Sequence, residues 1–217
     1  MTTMMLVPYR CAVCGATEKF PLMLSTSTFG SPDLDLRPAP LSRSTMPMWV
    51  QECPECGYVS ESISDCAAVT REWLSSERYR TCGGFGFTSD LAARFYRQYL
   101  IAVKGRNVRM AMFAALHAAW SCDDTCDEAN AKSCREIAIP LAAELIGADP
   151  DDRDELMVMR ADMMRRAGQY GELIEQYSSV RFGNENLNRL IRFEIEKAKD
   201  EDARCYCVAD AVEQSGS

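Results

Sequence analysis

Two short motifs constrain this chain more than anything else in it: Cys11-Ala12-Val13-Cys14-Gly15 and Cys53-Pro54-Glu55-Cys56-Gly57. Each sets two sulfurs one tight turn apart, and the glycine that follows lets the backbone fold back so that amides point at sulfur. Two such turns facing each other supply four soft ligands, the closed tetrahedral set that Zn²⁺ prefers in structural sites. One Zn²⁺ per chain, held by Cys11, Cys14, Cys53 and Cys56, is therefore expected. A pair of redox dithiols is the competing reading. A redox Cys-x-x-Cys opens a helix whose dipole lowers the thiol pKa, whereas here each pair is followed by glycine and bracketed by strand-like residues. Four sulfurs leave no position open for water, so the expected zinc is structural and not catalytic.

The remaining cysteines fit a reducing compartment. The chain has 217 residues and 11 cysteines, an odd number. Residues 1–10 lack a long apolar run followed by a cleavage site, and no apolar run approaches the roughly 20 residues of a membrane span. A cytoplasmic protein with no membrane association is expected, its spare thiols packed in the core. Net charge is −8, unevenly spread. Residues 1–122 carry 12 basic and 10 acidic side chains; residues 123–217 carry 12 and 22. Such an acidic second half disfavours a phosphate backbone as its partner.

Along the chain, apolar strand, cysteine turn and apolar strand occur twice within the first 60 or so residues. Met5-Leu6-Val7 and Phe20-Pro21-Leu22-Met23-Leu24 flank the first turn; Met48-Trp49-Val50 and Tyr58-Val59 flank the second. This is the pattern of a zinc ribbon, assigned to residues 1–62 with a long inserted loop at 24–47. Residues 25–40 are rich in turn formers and have few apolar residues to bury, so they are expected to form an irregular loop, functional or disordered.

The rest, 63–217, reads as helices. Expected segments are 65–80, 89–104 with Ser89 as its cap, 107–122, and 125–146 opened by a capping box at Thr125-Cys126-Asp127-Glu128 and kinked at Pro140. Residues 151–167 and 170–181 form a pair hinged at Gly168, followed by 184–199 and 202–212. The fold class is thus mainly α, a small β zinc module leading into stacked helical hairpins.

Residues 157–180 have the pattern of a tetratricopeptide repeat. Ala161 stands where helices must approach closely, Gly168 makes the turn, and Tyr170, Leu173, Tyr177 and Val180 form a packing stripe. Met157 stands in for the usual Trp and Leu173 for the usual Ala. Residues 107–137 read as a degenerate earlier copy, with Ala118 as the small residue and Thr125 at the turn. The double Cys-x-x-Cys module ahead of such helices, with the Arg165-Arg166-Ala167-Gly168-Gln169-Tyr170 turn, resembles an uncharacterised bacterial family catalogued as domain of unknown function 2225. That resemblance implies a zinc site and a helical array, and brings no activity with it.

Other candidates are weaker. Arg94, Arg97 and Lys104 share a helical face, Arg106 and Arg109 follow, and no acidic residue occurs from 91 to 122. The bland reading is a solvated or internally paired face; the functional one is a site for an acidic peptide, a phosphate or RNA. His117, the only histidine, reads as a hydrogen-bonded packing residue. Gly83-Gly84-Phe85-Gly86 lacks the Lys-Ser/Thr of a phosphate loop and reads as a hinge. Cys122 and Cys126 stand one helical turn apart in number, but Asp123-Asp124 is expected to break the helix between them. The expected function is non-enzymatic: a zinc-binding protein whose helical array binds a protein or peptide, an acidic one by the charge of the 94–104 face. The first alternative is a nucleic-acid-associated regulator using the ribbon and the basic stripe 94–109. The second is an enzyme built on residues 25–40, with Asp33, Asp35, Arg37 or Arg43 converging on a pocket.

Overall fold

The computed structural model describes residues 2–66, 68–148 and 151–213. The chain opens with an antiparallel hairpin, β1 (Thr3–Arg10) and β2 (Thr17–Ser25), whose turn holds the first cysteine motif. A second, minimal pair, β3 (Gln51–Glu52) and β4 (Val59–Ser60), brackets the second motif. Helices follow: the single turns α1 (Arg71–Leu74) and α2 (Glu77–Arg80), then α3 (Asp90–Lys104), α4 (Val108–Asp123), α5 (Glu128–Ala148), α6 (Arg153–Arg166), α7 (Tyr170–Tyr177), α8 (Glu185–Lys199) and α9 (Val208–Glu213).

Helix α4 is the centre of the body, and its composition explains why. Ala111, Ala114, Ala115, Ala118 and Ala119 are almost wholly buried, so α3 and α5 pack closely on either side of it. A helix covered on all sides must be apolar on all sides. Helix α5 then packs on α6, and α6 on α7 and α8. The α6–α7 turn is as the repeat pattern requires: Gly168 has φ +78, and Ala161, Met164, Leu173 and Tyr177 are buried. At the α4–α5 turn, where the repeat pattern would place glycine, Cys126 takes the left-handed conformation (φ +56).

The caps follow side-chain chemistry. Ser89 Oγ accepts from Ala92 N at 3.2 Å, Asn107 Oδ1 from Met110 N at 3.0 Å, and Asn184 Oδ1 from Asn186 N at 2.9 Å, each satisfying a donor the helix leaves free. The proposed capping box is displaced. Thr125 Oγ1 donates backwards to Cys122 O (3.1 Å), closing α4, and Asp127 opens α5 by accepting from Asn130 N at 3.4 Å. A β-hydroxyl one turn past a helix end bonds its carbonyls as readily as it caps the next helix.

Two helix expectations fail. Residues 65–80 are not one helix: 64–66 and 68–70 are irregular and only two single turns form among the described residues, and the start of the segment is tied to the cysteine module. Ala12 N donates to Ile63 O (2.8 Å), Arg10 N to Ser64 Oγ (3.2 Å), and Ile63 N to Gln51 Oε1 (3.0 Å). Residues 202–207 are also non-helical, since they pair with residues 32–34: Leu34 N donates to Tyr206 O (3.0 Å) and Val208 N to Pro32 O (2.9 Å).

That pairing overturns the reading of residues 25–40 as a loop with little to bury. Asp33, Leu34, Asp35, Arg37 and Ala39 are buried, and the turn is closed by Asp33 N to Arg37 O and Leu36 N to Asp33 O, both 2.9 Å, with Leu36 left-handed (φ +63). The segment is laid into the helical body and held there by charge.

Candidate metal centre

The two cysteine turns are copies of one another. In the first, Gly15 N donates to Cys11 O (2.9 Å) and Cys11 N to Ala16 O (2.8 Å); in the second, Gly57 N donates to Cys53 O (2.9 Å) and Cys53 N to Tyr58 O (2.9 Å). Both glycines are left-handed, φ +77 and +72, a conformation that costs a residue with a Cβ about 1–2 kcal/mol. The turned-back amides reach sulfur. Ala16 N–H bonds the Cys14 sulfur, Tyr58 N–H bonds that of Cys56, and the amides of Glu55 and Cys56 bond that of Cys53.

The turns face each other. Cys11 Sγ lies 3.6 Å from Cys56 Sγ and Cys14 Sγ 3.5 Å from Cys53 Sγ, and all four sulfurs fall within 4.8 Å of one another. A tetrahedral ion with 2.3 Å bonds to sulfur requires sulfurs about 3.8 Å apart, so the set fits a small tetrahedral ion. Cys11 and Cys53 are buried and Cys14 and Cys56 half-buried. Burial pushes the Cys53 and Cys56 thiols up. It also raises Cys14, but there the Ala16 amide and the neighbouring thiols outweigh it and bring the group down to about 7. Four sulfurs at this separation cannot all ionise alone; a divalent cation resolves the conflict by taking them as thiolates.

The module is bolted to the helices at its second turn. Tyr79 Oη donates to Gly57 O at 2.5 Å. Glu52, on β3, accepts from Arg97 Nη1 at 2.6 Å and lies 3.7 Å from Arg94 Nε. Two of the three residues expected to form a docking face for an acidic partner thus already share a carboxylate of this chain, while Lys104 is exposed at the end of α3. Further along the stripe, Arg109 pairs with Asp152.

Of the residues proposed for an enzyme site in 25–40, Asp35 and Arg37 find side-chain partners in the helical body, whereas Asp33 and Arg43 pair with each other. Asp35 Oδ2 accepts from Trp120 Nε1 at 2.7 Å and lies 3.5 Å from Arg166 Nη1. Arg37 reaches Asp124 at 2.5 Å, and Arg43 reaches Asp33 at 2.6 Å. His117 is ringed by aromatics, with centroids at 4.8 Å (Trp120), 5.1 Å (Phe95), 5.3 Å (Trp49) and 6.1 Å (Phe113). Burial there lowers it to about 4 despite the opposing charge of Asp35, so it stays neutral at physiological pH and serves packing. Cys122 is a free thiol buried in the core beside that of Cys134, while Cys126 is exposed, so the two residues of the suspected second site face different surroundings.

Sequence reasoning missed the buried ion network. Arg165 is fully buried, yet its guanidinium donates to Glu194 Oε2 (2.6 Å), Asp162 Oδ1 (2.5 Å) and the carbonyls of Asp202 and Arg204 (2.7 and 2.8 Å). Arg135 and Arg166 converge on Asp123 at 2.5 and 2.9 Å. The one available signal was the placement of two arginines beside the repeat turn, where solvated residues are the norm.

The fold and site define a mainly helical protein with a small β-hairpin and a four-cysteine, metal-competent cluster near its N-terminus. Among the described residues no helix is long and apolar enough to cross a membrane. Comparison with protein-family models, curated proteins and solved structures returns no match.

Proposed function

We propose that this chain is a non-enzymatic zinc-binding protein that engages a protein partner. The metal is structural: the four sulfurs form a closed set, and Zn²⁺ suits four thiolates in a tetrahedron without a ligand-field preference of its own. The helices behind it are read as TPR-like, on the strength of the α6–α7 pair.

The observation that carries the partner reading is the hairpin β1–β2. Met4, Met5 and Leu6 are 53, 49 and 65% exposed, and Leu22, Met23 and Leu24 are 41, 36 and 56% exposed. Successive residues of a strand point to opposite faces, so both faces of the hairpin are apolar. Among the described residues the sheet has only these two strands, which leaves edge backbone groups without a strand partner. No charged residue occurs in 2–9 or 20–32, so no like charge repels an apolar chain, although Pro8 and Pro21 each remove one backbone donor from the strands. A monomer gains nothing from such a surface. Its occupant is an extended, apolar, uncharged segment of another protein, added as a strand. The face of Arg94 and Arg97 is not carried into this reading, because Glu52 already occupies it.

Two measurements test it. Metal analysis of protein made with ample zinc should give about one Zn²⁺ per chain; absence of zinc, or iron in its place, overturns the metal assignment. Photo-crosslinkers placed at Leu6 and Leu24 should join the hairpin to one apolar segment of one partner, and Leu6→Asp with Leu24→Asp should abolish the adduct without changing zinc content. Crosslinks only to a second copy of this chain, or capture indifferent to the double substitution, overturn the hetero-partner reading.

A further inference from the structure

A cavity of about 580 Å³ opens where the α4–α5 turn, α5, the end of α6 and residues 203–205 meet. Four cationic side chains line it: Lys132 and Arg135 from α5, Arg166 from α6 and Arg204 from the segment beyond α8; Asp123 and Glu128 are the acidic ones. This concentration runs against its background, because residues 123–217 hold 22 acidic side chains to 12 basic.

The guanidiniums here are fixed by carboxylates of the chain, and two of them keep one nitrogen unpaired. Asp123 accepts from Arg135 at 3.1 and 2.5 Å and from Arg166 at 2.9 Å, so one carboxylate holds two forks in place. The Arg135 and Arg166 side chains are only 2 and 8% exposed, and the Nε of each is buried with no hydrogen-bond partner. A buried donor without an acceptor is costly, and these two belong to side chains that line the cavity. Arg204 is steered to the rim by Asp202, whose carboxylate it meets at 3.0 Å through Nε, and it lies over the Tyr206 ring. Planar forks presented rigidly beside a cavity are the device that reads the oxygens of phosphate and carboxylate groups, and the volume suits a small molecule.

We propose that this cavity binds a small oxyanion-bearing molecule, its phosphate or carboxylate oxygens taken by Arg166 and Arg135 inside and by Arg204 and Lys132 at the rim. The site is separate from the cysteine centre and from the hairpin, and it stands whether or not either of those readings holds. Binding would also tie the 203–205 segment to α5 and α6, since the lining comes from all three.

The experiment uses the full-length chain at constant ionic strength and chloride, with inorganic phosphate, pyrophosphate and succinate as separate calorimetric probes. At least one should bind saturably; preference for the phosphates or for succinate assigns the ligand class. Lys132 and Arg204 are exposed enough to be replaced without disturbing the core, and Lys132→Ala with Arg204→Ala should weaken that binding about tenfold or more. An arm that needs no variant exploits the cysteines. Cys126 lines the cavity and is exposed, whereas exposed Cys66 lies outside it. The probe that binds should slow alkylation of Cys126 and leave Cys66 unchanged. No saturable binding by any probe, binding untouched by the double substitution, or equal protection of the two thiols overturns the proposal.

Discussion

The indole Nε1 of Trp120 donates to Asp35 Oδ2 at 2.7 Å across 85 positions of sequence. Asp35 is fully buried, and among the described residues the one cation paired with it is Arg166 at 3.5 Å. This bond fastens the 25–40 segment to the central helix α4, so a stretch rich in turn formers becomes part of the core. Trp120→Phe keeps an aromatic ring against His117 but leaves a buried carboxylate oxygen short of a donor. The expected loss is about 1–3 kcal/mol, read from the urea midpoint; unchanged stability would mean that the segment is held without this bond.

The metal centre predicts a divided response. Cys53→Ser removes one of two buried sulfurs, and structural zinc contributes on the order of 10 kcal/mol to modules of this kind. Residues 1–62 should lose protection from hydrogen exchange, while the α4–α5–α6 core, whose packing does not pass through the sulfurs, keeps its helical circular dichroism. Chelator treatment of the unaltered chain should give the same division. Simultaneous collapse of both parts would show that the module is a prerequisite for the helices.

Gly168 and Gly15 test two different turns. Both are left-handed, φ +78 and +77, and a Cβ on either would meet only the far end of a flexible side chain, Lys132 Nζ at 3.8 Å or Arg10 Nη2 at 3.7 Å. The cost is therefore backbone strain at each, about 1–2 kcal/mol, with a further penalty for a β-branched residue. What differs is where it falls. Gly168→Val should lower the melting temperature of the helical body by roughly 2–4 °C for each kcal/mol lost. Gly15→Ala should leave that transition in place and speed loss of metal to a chelator.

How much of this was legible depends on the range of the interactions. The cysteine turns, the caps at Ser89, Asn107 and Asn184, and the turn at Gly168 are encoded within five residues, and the sequence displays them. The placement of 25–40 is not, because Asp35 and Arg37 find Trp120, Arg166 and Asp124 more than 80 positions away, and a polar residue carries no mark of a distant partner. Residues 202–207 fail for the same reason: their backbone pairs with 32–34 instead of winding into a helix. Any pairing of Arg94 and Arg97 is expected in the acidic second half, whereas Glu52 reaches them from the cysteine module, 45 positions before Arg97.

The buried trio of Arg165, Asp162 and Glu194 makes stability depend on pH in an unusual direction. One guanidinium faces two carboxyls, all three sealed from water. Burial, with the neighbouring Asp162 adding to it, pushes Glu194 well above its ordinary 4.5, and burial raises Asp162 as well. A carboxyl with a raised pKa holds its proton longer in the folded state than in the unfolded chain, so folding takes up protons between the two values. The contribution is full below 4.5 and is lost as pH rises through the folded pKa. Asp123 acts the other way. Although burial raises it, Arg135 and Arg166 hold it below 3.8, so its share is complete above that value and fades only in stronger acid. His117, lowered from 6.5 to about 4, works against the trio by making stability rise with pH between those values. The share of the trio is therefore read as a difference between the unaltered chain and a Glu194 variant, which should grow as pH rises through the folded pKa of Glu194. Glu194→Gln mimics the protonated acid, keeping an oxygen for Arg165 Nε and adding a donor that can face Asp162. Urea titrations at several pH values should show the advantage of Glu194→Gln over the unaltered chain growing towards alkaline pH. Glu194→Ala leaves Arg165 Nε without its acceptor and should lose about 3–5 kcal/mol, as broken buried pairs do. A profile for Glu194→Gln parallel to that of the unaltered chain would place the titrating proton elsewhere in the molecule.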